Sequence, residues 1–224
     1  MRISTIQAAR EATDAAQTAA IVRAVAEAVA RGAELVAAPC ALSLSRDPDS
    51  LAGTNAAIRD VAGEATVITP CSGMMCGGTR TNAASAVGSV AVLCGDEALD
   101  AGALATLAHE RPDILVWQVE GESALQAEAI REHAISVSET VASLVLVASM
   151  CCAGEVVGAT AIIYGGEVLA EADESPAVLT VDVTTPLAPP DRHGEIPTVS
   201  PILAQRLAVH EGHRAPVDYP ADLS

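Results

Sequence analysis

The sequence predicts a mixed α/β fold in which helices pack on the outside of a sheet. Apolar strands alternate with helix-like segments along most of the chain, as in sheets whose strands are connected through helices. The composition is 50% hydrophobic, yet the only aromatic residues are Trp117, Tyr164 and Tyr219. A core of Ala, Val, Leu and Ile lets backbones approach closely, which favours close packing of helices on a sheet. The 224 residues suffice for one domain with a substantial core.

The first half of the chain is predicted to contain four or five strands and two helices. Strands are expected at 1–6, 34–39, 65–70 and within 81–97, and helices at 17–31 and 50–62. Gly32 ends the alanine-rich first helix, and Pro39 and Pro70 stop two strands. A glycine-rich loop follows at 71–80, and the last strand of this half ends at Cys94.

The second half continues the alternation and closes with a hairpin. Helices are predicted at 98–110 and 123–143, and strands at 113–119, 143–150 and 177–183. The segment 158–172 is typical of a hairpin with a Gly-Gly turn. From Thr184 onward the chain is rich in proline, which indicates an extended arm. We therefore expect a single domain at 1–184 and a C-terminal arm at 185–224 that packs on a partner subunit.

The charge balance excludes some classes of partner. A formal net charge of −17 argues against nucleic acid and anionic membranes, because phosphate binding needs clustered Lys and Arg. No apolar run is long enough to span a membrane, and the N-terminus lacks the apolar core of a signal peptide. These features predict a cytoplasmic protein, in which six cysteines are more often reduced thiols, metal ligands or reactive groups than structural disulfides.

Six segments follow one another in an order that resembles the nitrilase (carbon–nitrogen hydrolase) superfamily. They are RGAELVAAP at 31–39, TNAASAV at 81–87, VAVLCGDEALD at 90–100, RPDILVWQ at 111–118, SETVASLVLVAS at 138–149, and GATAIIYGGEVLAEADESPAVLTVDV at 158–183. The resemblance covers roughly residues 1–184. It implies a four-layer αββα sandwich that forms a homodimer through its helices.

The resemblance also implies where catalytic residues would lie. Family members that hydrolyse amides or nitriles use a Glu as base, a Lys that stabilises the tetrahedral intermediate and a nucleophilic Cys. Cys94 takes the nucleophile position, but Cys40 stands where the Glu is expected, and the chain has no lysine. Asp96 and Glu97 lie next to Cys94 as possible bases, although negative neighbours disfavour a thiolate. We therefore do not expect the usual amidase mechanism, and whether the protein is an enzyme stays open.

All six cysteines are predicted to lie at or just beyond the same ends of the strands. They are Cys40, Cys71, Cys76, Cys94, Cys151 and Cys152. Side chains at these ends of a parallel sheet collect in one crevice, and thiolates there would suit Zn²⁺, Cu(I) or an iron–sulfur cluster. The cysteines are also compatible with inert pocket thiols, with a Cys40–Cys94 redox pair or with residual thiol-dependent hydrolase or acyltransferase activity.

Four further residues are weaker candidates. Arg80 could bind the carboxylate of a small-molecule ligand near the pocket, although a solvent-facing arginine is the usual case. His210 and His213 have the spacing of metal ligands on a helix, but a proline-rich acidic tail favours a solvated role. His133 is predicted on a helix surface or at an interface.

Overall fold

The computed structural model describes residues 1–39, 48–69, 83–85, 88–120, 123–151 and 158–184. The strands are β1 Arg2–Ala9, β2 Leu35–Ala37, β3 Thr66–Ile68, β4 Ala83–Ser85, β5 Gly88–Cys94, β6 Ile114–Gln118, β7 Leu144–Cys151, β8 Ala161–Tyr164, β9 Glu167–Glu171 and β10 Ala177–Asp182. The helices are α1 Asp14–Ala30, α2 Pro48–Ala62, α3 Ala101–Glu110 and α4 Ala124–Val141, with a 3-10 turn at Gly95–Leu99. Each predicted element within these ranges is present.

The predicted helix at 98–110 is wrong in one respect, because it is two elements. Asp100 has extended backbone angles, and its carboxylate accepts a hydrogen bond from the backbone N–H of Gly102 at 2.7 Å. An aspartate in this position is a favourable N-cap, so α3 begins after it. Strand β7 begins and ends one residue later than predicted, so Cys151 is its last residue.

Six of the strands run parallel in the order β3, β2, β1, β7, β6, β5. Strands β4, β10 and β8 pair antiparallel with β5, β1 and β7, and β9 pairs antiparallel with β8. The carboxyl ends of the six parallel strands therefore share one side of the molecule, called the C-terminal edge below.

The sheet curls into two facing layers with helices outside both. Between the layers, Ile3 and Leu35 belong to the same buried cluster as Ile114 and Leu146. Helices α1 and α2 cover one layer, and α3 and α4 cover the other, each through a separate apolar cluster. This arrangement is the predicted αββα sandwich with a core built from aliphatic side chains.

In the part of the chain that the structure describes, no helix is long and apolar enough to cross a bilayer. The predicted arm at 185–224 lies outside the described residues.

Candidate active site

Cys94 is the last residue of β5 and lies at the C-terminal edge with its side chain half-buried. The backbone turns sharply there into the 3-10 turn. Gly95 has a φ of +55°, a conformation that glycine adopts without the strain other residues would meet. Residues 94–99, called the elbow below, therefore present the thiol at a bend between strand and helix.

Three side chains hold the elbow in place. The carboxylate of Glu97 accepts the backbone N–H of Cys94 at 2.8 Å. The indole Nε1 of Trp117 donates to the carbonyl of Gly95 at 2.8 Å. His133 Nε2 lies 2.7 Å from the carbonyl oxygen of Ala98 and must donate to it, because a carbonyl can only accept. These bonds satisfy backbone groups that the bend would otherwise leave unpaired.

The surface position predicted for His133 is wrong, because its side chain is only 4% exposed. Its ring packs edge-on against the ring of Trp117, with centroids 5.8 Å apart. Burial lowers the pKa of His133, which favours the neutral ring. A neutral imidazole carries one N–H, and here that N–H is on Nε2, where it donates to the carbonyl of Ala98. The sequence pattern is consistent with a buried His133, since this residue lies at helical spacing from the buried residues Ile130 and Val137.

The thiol of Cys94 contacts Gln118, which is not among the site residues predicted from the sequence. Its Sγ donates to Gln118 Oε1 at 3.6 Å. Gln118 is 1% exposed, and its Nε2 donates to the carbonyl of Ala38 at 2.7 Å. Cys94 and Gln118 are register partners on neighbouring strands, which brings their side chains to the same face.

The Gln118–Ala38 hydrogen bond joins the two layers of the sandwich. Strands β6 and β2 are separated by β7 and β1 in the order of the sheet, so this contact crosses the space between the layers. It brings the end of β2 next to the end of β5, as expected for strands that deliver residues to one site. Ala38 precedes Cys40 by two positions, and Cys40 itself lies outside the described residues.

A second described cysteine lies further along the same edge. Cys151 is 1% exposed, and its carbonyl accepts the backbone N–H of Arg10 at 2.7 Å. Arg10 Nη2 forms an ion pair with Glu120 Oε2 at 2.5 Å, where the ends of β1 and β6 approach. This pair places one positive and one negative charge on the edge that carries Cys94.

The register separates Cys94 from Cys151. Cys94 pairs with Gln118, and Gln118 pairs with Ala148, three residues before Cys151. Cys94 and Cys151 are thus two strands apart across the sheet and three residues apart along the strands, which is about 10 Å in each of these directions. Their side chains are too far apart to be ligands of one ion. Among the described residues, no group of three His, Cys, Asp or Glu side chains could hold a metal.

The remaining predicted site residues lie outside the described ranges. They are Cys40, Cys71, Cys76, Cys152, Arg80, His210 and His213. The metal, redox-pair and ligand-binding interpretations that involve them therefore stay predictions.

No protein-family model and no curated protein matches the sequence.

Several solved structures match the fold of this chain. An amidase from Nesterenkonia sp. is 14% identical with a TM-score of 0.62, over 95% of both chains. A variant of the AN1 amidase with glutamine in place of a glutamate carries the acetamide moiety of fluoroacetamide on its active-site cysteine; it is 13% identical with a TM-score of 0.66, over 96% of this chain and 97% of that one. The same kind of variant shows Michael addition of acrylamide at that cysteine, at 16% identity and a TM-score of 0.58, over 82% and 93%.

These likenesses define the fold. The AN1 amidase is described as a member of the nitrilase superfamily, and the present chain has the same αββα architecture. The fold that the sequence resemblance implied is confirmed.

Proposed function

We propose that this chain is a divergent nitrilase-superfamily protein that keeps a nucleophilic cysteine but does not run the Glu-Lys-Cys hydrolysis of amides. The observation that carries the proposal is the half-buried Cys94 thiol at the end of β5, on an elbow held by Glu97, Trp117 and His133. This is the position at which the sequence resemblance implies the nucleophile.

The elbow favours attack by the thiol on a small electrophile. A fixed backbone keeps the sulfur in one orientation at the C-terminal edge, where open α/β sheets bind ligands. The hydrogen bonds from Trp117 on β6 and His133 on α4 reach backbone carbonyls of the elbow and restrain it.

Turnover of an amide needs more than a positioned thiol. The Sγ of Cys94 donates to the amide oxygen of Gln118, which cannot take up the thiol proton as a carboxylate does. The sequence has Cys40 at the position of the family's base and contains no lysine. Loss of a general base costs about 10²–10⁴-fold in rate, and loss of an oxyanion-stabilising donor about 10²–10³-fold more.

The structural neighbours support a separation between adduct formation and turnover. In the AN1 amidase, the variant that lacks a glutamate still carries acetamide and acrylamide adducts on its active-site cysteine. For the present chain we expect the same behaviour at Cys94: covalent modification by small amide electrophiles without catalytic release of ammonia.

The test is to incubate the native protein with chloroacetamide and to follow each cysteine-containing peptide by mass spectrometry. Cys94 is expected to react much faster than the buried Cys151, since exposure controls thiol access. Ammonia release from acetamide and acrylamide is expected to equal that of Cys94→Ala. Ammonia release that depends on Cys94 would show a working amidase, and labelling of Cys94 no faster than Cys151 would show an inert thiol.

The alternative prediction is that the protein binds a metal ion or a cluster, which elemental analysis of protein purified anaerobically tests. Light scattering on the same sample measures the molar mass and tests the predicted homodimer. About one equivalent of metal that is lost in Cys94→Ser would replace the proposal above with a soft-ligand site.

A further inference from the structure

We infer that Gln118 is a specificity-determining residue, whose amide oxygen selects electrophiles that carry an N–H donor close to the carbon bonded to Cys94 Sγ. The inference rests on the proposed function, since it concerns adducts formed at that thiol.

The orientation of the Gln118 amide is fixed by its surroundings. Nε2 of Gln118 donates to the carbonyl of Ala38 in a buried contact of 2.7 Å. The N–H of Ala38 donates to the carbonyl of Ile68, so it cannot donate to a flipped Gln118 amide. If the amide flipped, Oε1 would face the carbonyl oxygen of Ala38, and two buried acceptors would lose their donor. Oε1 is therefore held toward the thiol.

Modification of the thiol removes the donor that Oε1 uses. The hydrogen bond at 3.6 Å consists of the Cys94 S–H and Gln118 Oε1. Once the sulfur bears a carbon substituent it has no proton, and a side chain that is 1% exposed would keep an unpaired acceptor. Alkylation of Cys94 is therefore faster when the reagent supplies a replacement donor near the sulfur.

Primary amides supply that donor. When the sulfur displaces chloride from chloroacetamide, an S–C bond forms, the C–Cl bond breaks with its electron pair on chloride, and the thiol proton passes to solvent. The product is S–CH₂–C(=O)–NH₂, with the amide nitrogen three bonds from the sulfur and within reach of an acceptor that lay beside that sulfur. The N,N-dimethyl analogue forms the same S–C bond but has no N–H.

The experiment compares rates of Cys94 labelling by chloroacetamide and by 2-chloro-N,N-dimethylacetamide. Their ratio is divided by the same ratio for glutathione, which removes the difference in intrinsic reactivity. In the native protein the normalised ratio is expected to be about 3 to 10, the range that one hydrogen bond supplies. In Gln118→Met, which keeps a side chain of similar size without the acceptor, it is expected to fall to about half the native value or less.

The same substitution at another buried glutamine provides the control. Gln7 is 1% exposed and its amide donates to the carbonyls of Asp173 and Ser175, so Gln7→Met tests the loss of a buried amide away from the thiol. Its ratio is expected to match that of the native protein. Circular dichroism checks that both variants are folded, and the native ratio is informative without either of them.

The outcomes separate the inference from the proposed function. A native ratio equal to that of glutathione, or a native-like ratio in folded Gln118→Met, overturns the role of Gln118 while Cys94 stays reactive. Absence of labelling at Cys94 by both reagents overturns the proposed function itself.

Discussion

The two ends of the parallel strands are built in different ways. At the amino ends, Asp113 Oδ2 accepts both the backbone N–H and the hydroxyl of Ser89 at 2.8 Å, and Ser89 Oγ accepts the N–H of Asp113 at 3.0 Å. Ser143 Oγ donates to the carbonyl of Pro112 at 2.5 Å. Each of these side chains is hydrogen-bonded to a residue at or just before the start of a neighbouring strand.

At the C-terminal edge the polar contacts reach across the molecule instead. Gln118 joins Cys94 on the neighbouring strand to Ala38 in the facing layer, 80 positions earlier in the sequence. The contacts at the amino ends connect strands locally, whereas those at the C-terminal edge position a half-buried thiol. The comparison predicts that substitutions at the amino ends change stability alone, whereas substitutions at the C-terminal edge also change the reactivity of Cys94.

The largest effect is expected for Trp117, which links the core to the elbow. Trp117 is 1% exposed, and Trp117→Ala should lower the free energy of unfolding by about 3–5 kcal/mol, measured by urea denaturation. Trp117→Phe keeps an aromatic ring but removes the N–H bond to Gly95 and part of the buried ring volume, so about 1–3 kcal/mol is expected. Slower alkylation of Cys94 in folded Trp117→Phe would show that this bond orients the elbow, and an unchanged rate would contradict that role.

His133 should make the C-terminal edge sensitive to acid. Its folded pKa is lowered by burial, so the unfolded chain binds a proton first as the pH falls below about 6.5. The contribution of His133 to stability is therefore full at higher pH and declines below that value. His133→Phe should cost about 1–3 kcal/mol at pH 8 by leaving the carbonyl of Ala98 unpaired.

The difference in unfolding free energy between the native protein and His133→Phe should shrink between pH 8 and pH 5.5. A difference that stays constant across this range would mean that His133 titrates alike in the folded and unfolded states.

Asp113→Ala tests the opposite end of the strands. It removes the acceptor of Ser89 and should lower the free energy of unfolding by about 1 kcal/mol, because the site is partly exposed. The rate of Cys94 alkylation and the selectivity between the two chloroacetamides should stay at native values. A changed selectivity would show that the two edges are coupled.

The smallest effect is expected at the surface pair of Arg2 and Asp182, which joins β1 to β10. The hydrogen bond from Arg2 lowers the pKa of Asp182, so its stabilising effect is present at neutral pH and lost as the pH falls through that lowered value. Both groups are exposed to solvent, and Asp182→Asn should shift the thermal midpoint only slightly at pH 7. A large shift would show that the β1–β10 pairing depends on this ion pair.

Much of the fold could be predicted because its signals are local. Gly32 follows the end of α1 with a positive φ, and the glycine pair at 165–166 adopts the positive φ angles of a hairpin turn. The position of Cys94 at a strand end followed from the resemblance and agrees with the structure.

The contacts of the site could not be predicted in the same way. Gln118 pairs with Ala38 only because the sheet curls into two layers, and no spacing in the sequence encodes that contact. The buried state of His133 depends on the tertiary packing of α4, although its helical spacing was compatible with it. The separation of Cys94 from Cys151 follows from strand order and register, which strand assignments alone do not give.

The most direct test measures adduct formation and turnover in one sample of the native protein. Acrylamide is added, the fraction of modified Cys94 is followed by peptide mass spectrometry, and ammonia is assayed at the same times. The account predicts progressive modification of Cys94 with ammonia release no higher than in Cys94→Ala. Repeated release of ammonia that is lost in Cys94→Ala would contradict it, because the thiol would then complete a catalytic cycle without the usual glutamate and lysine.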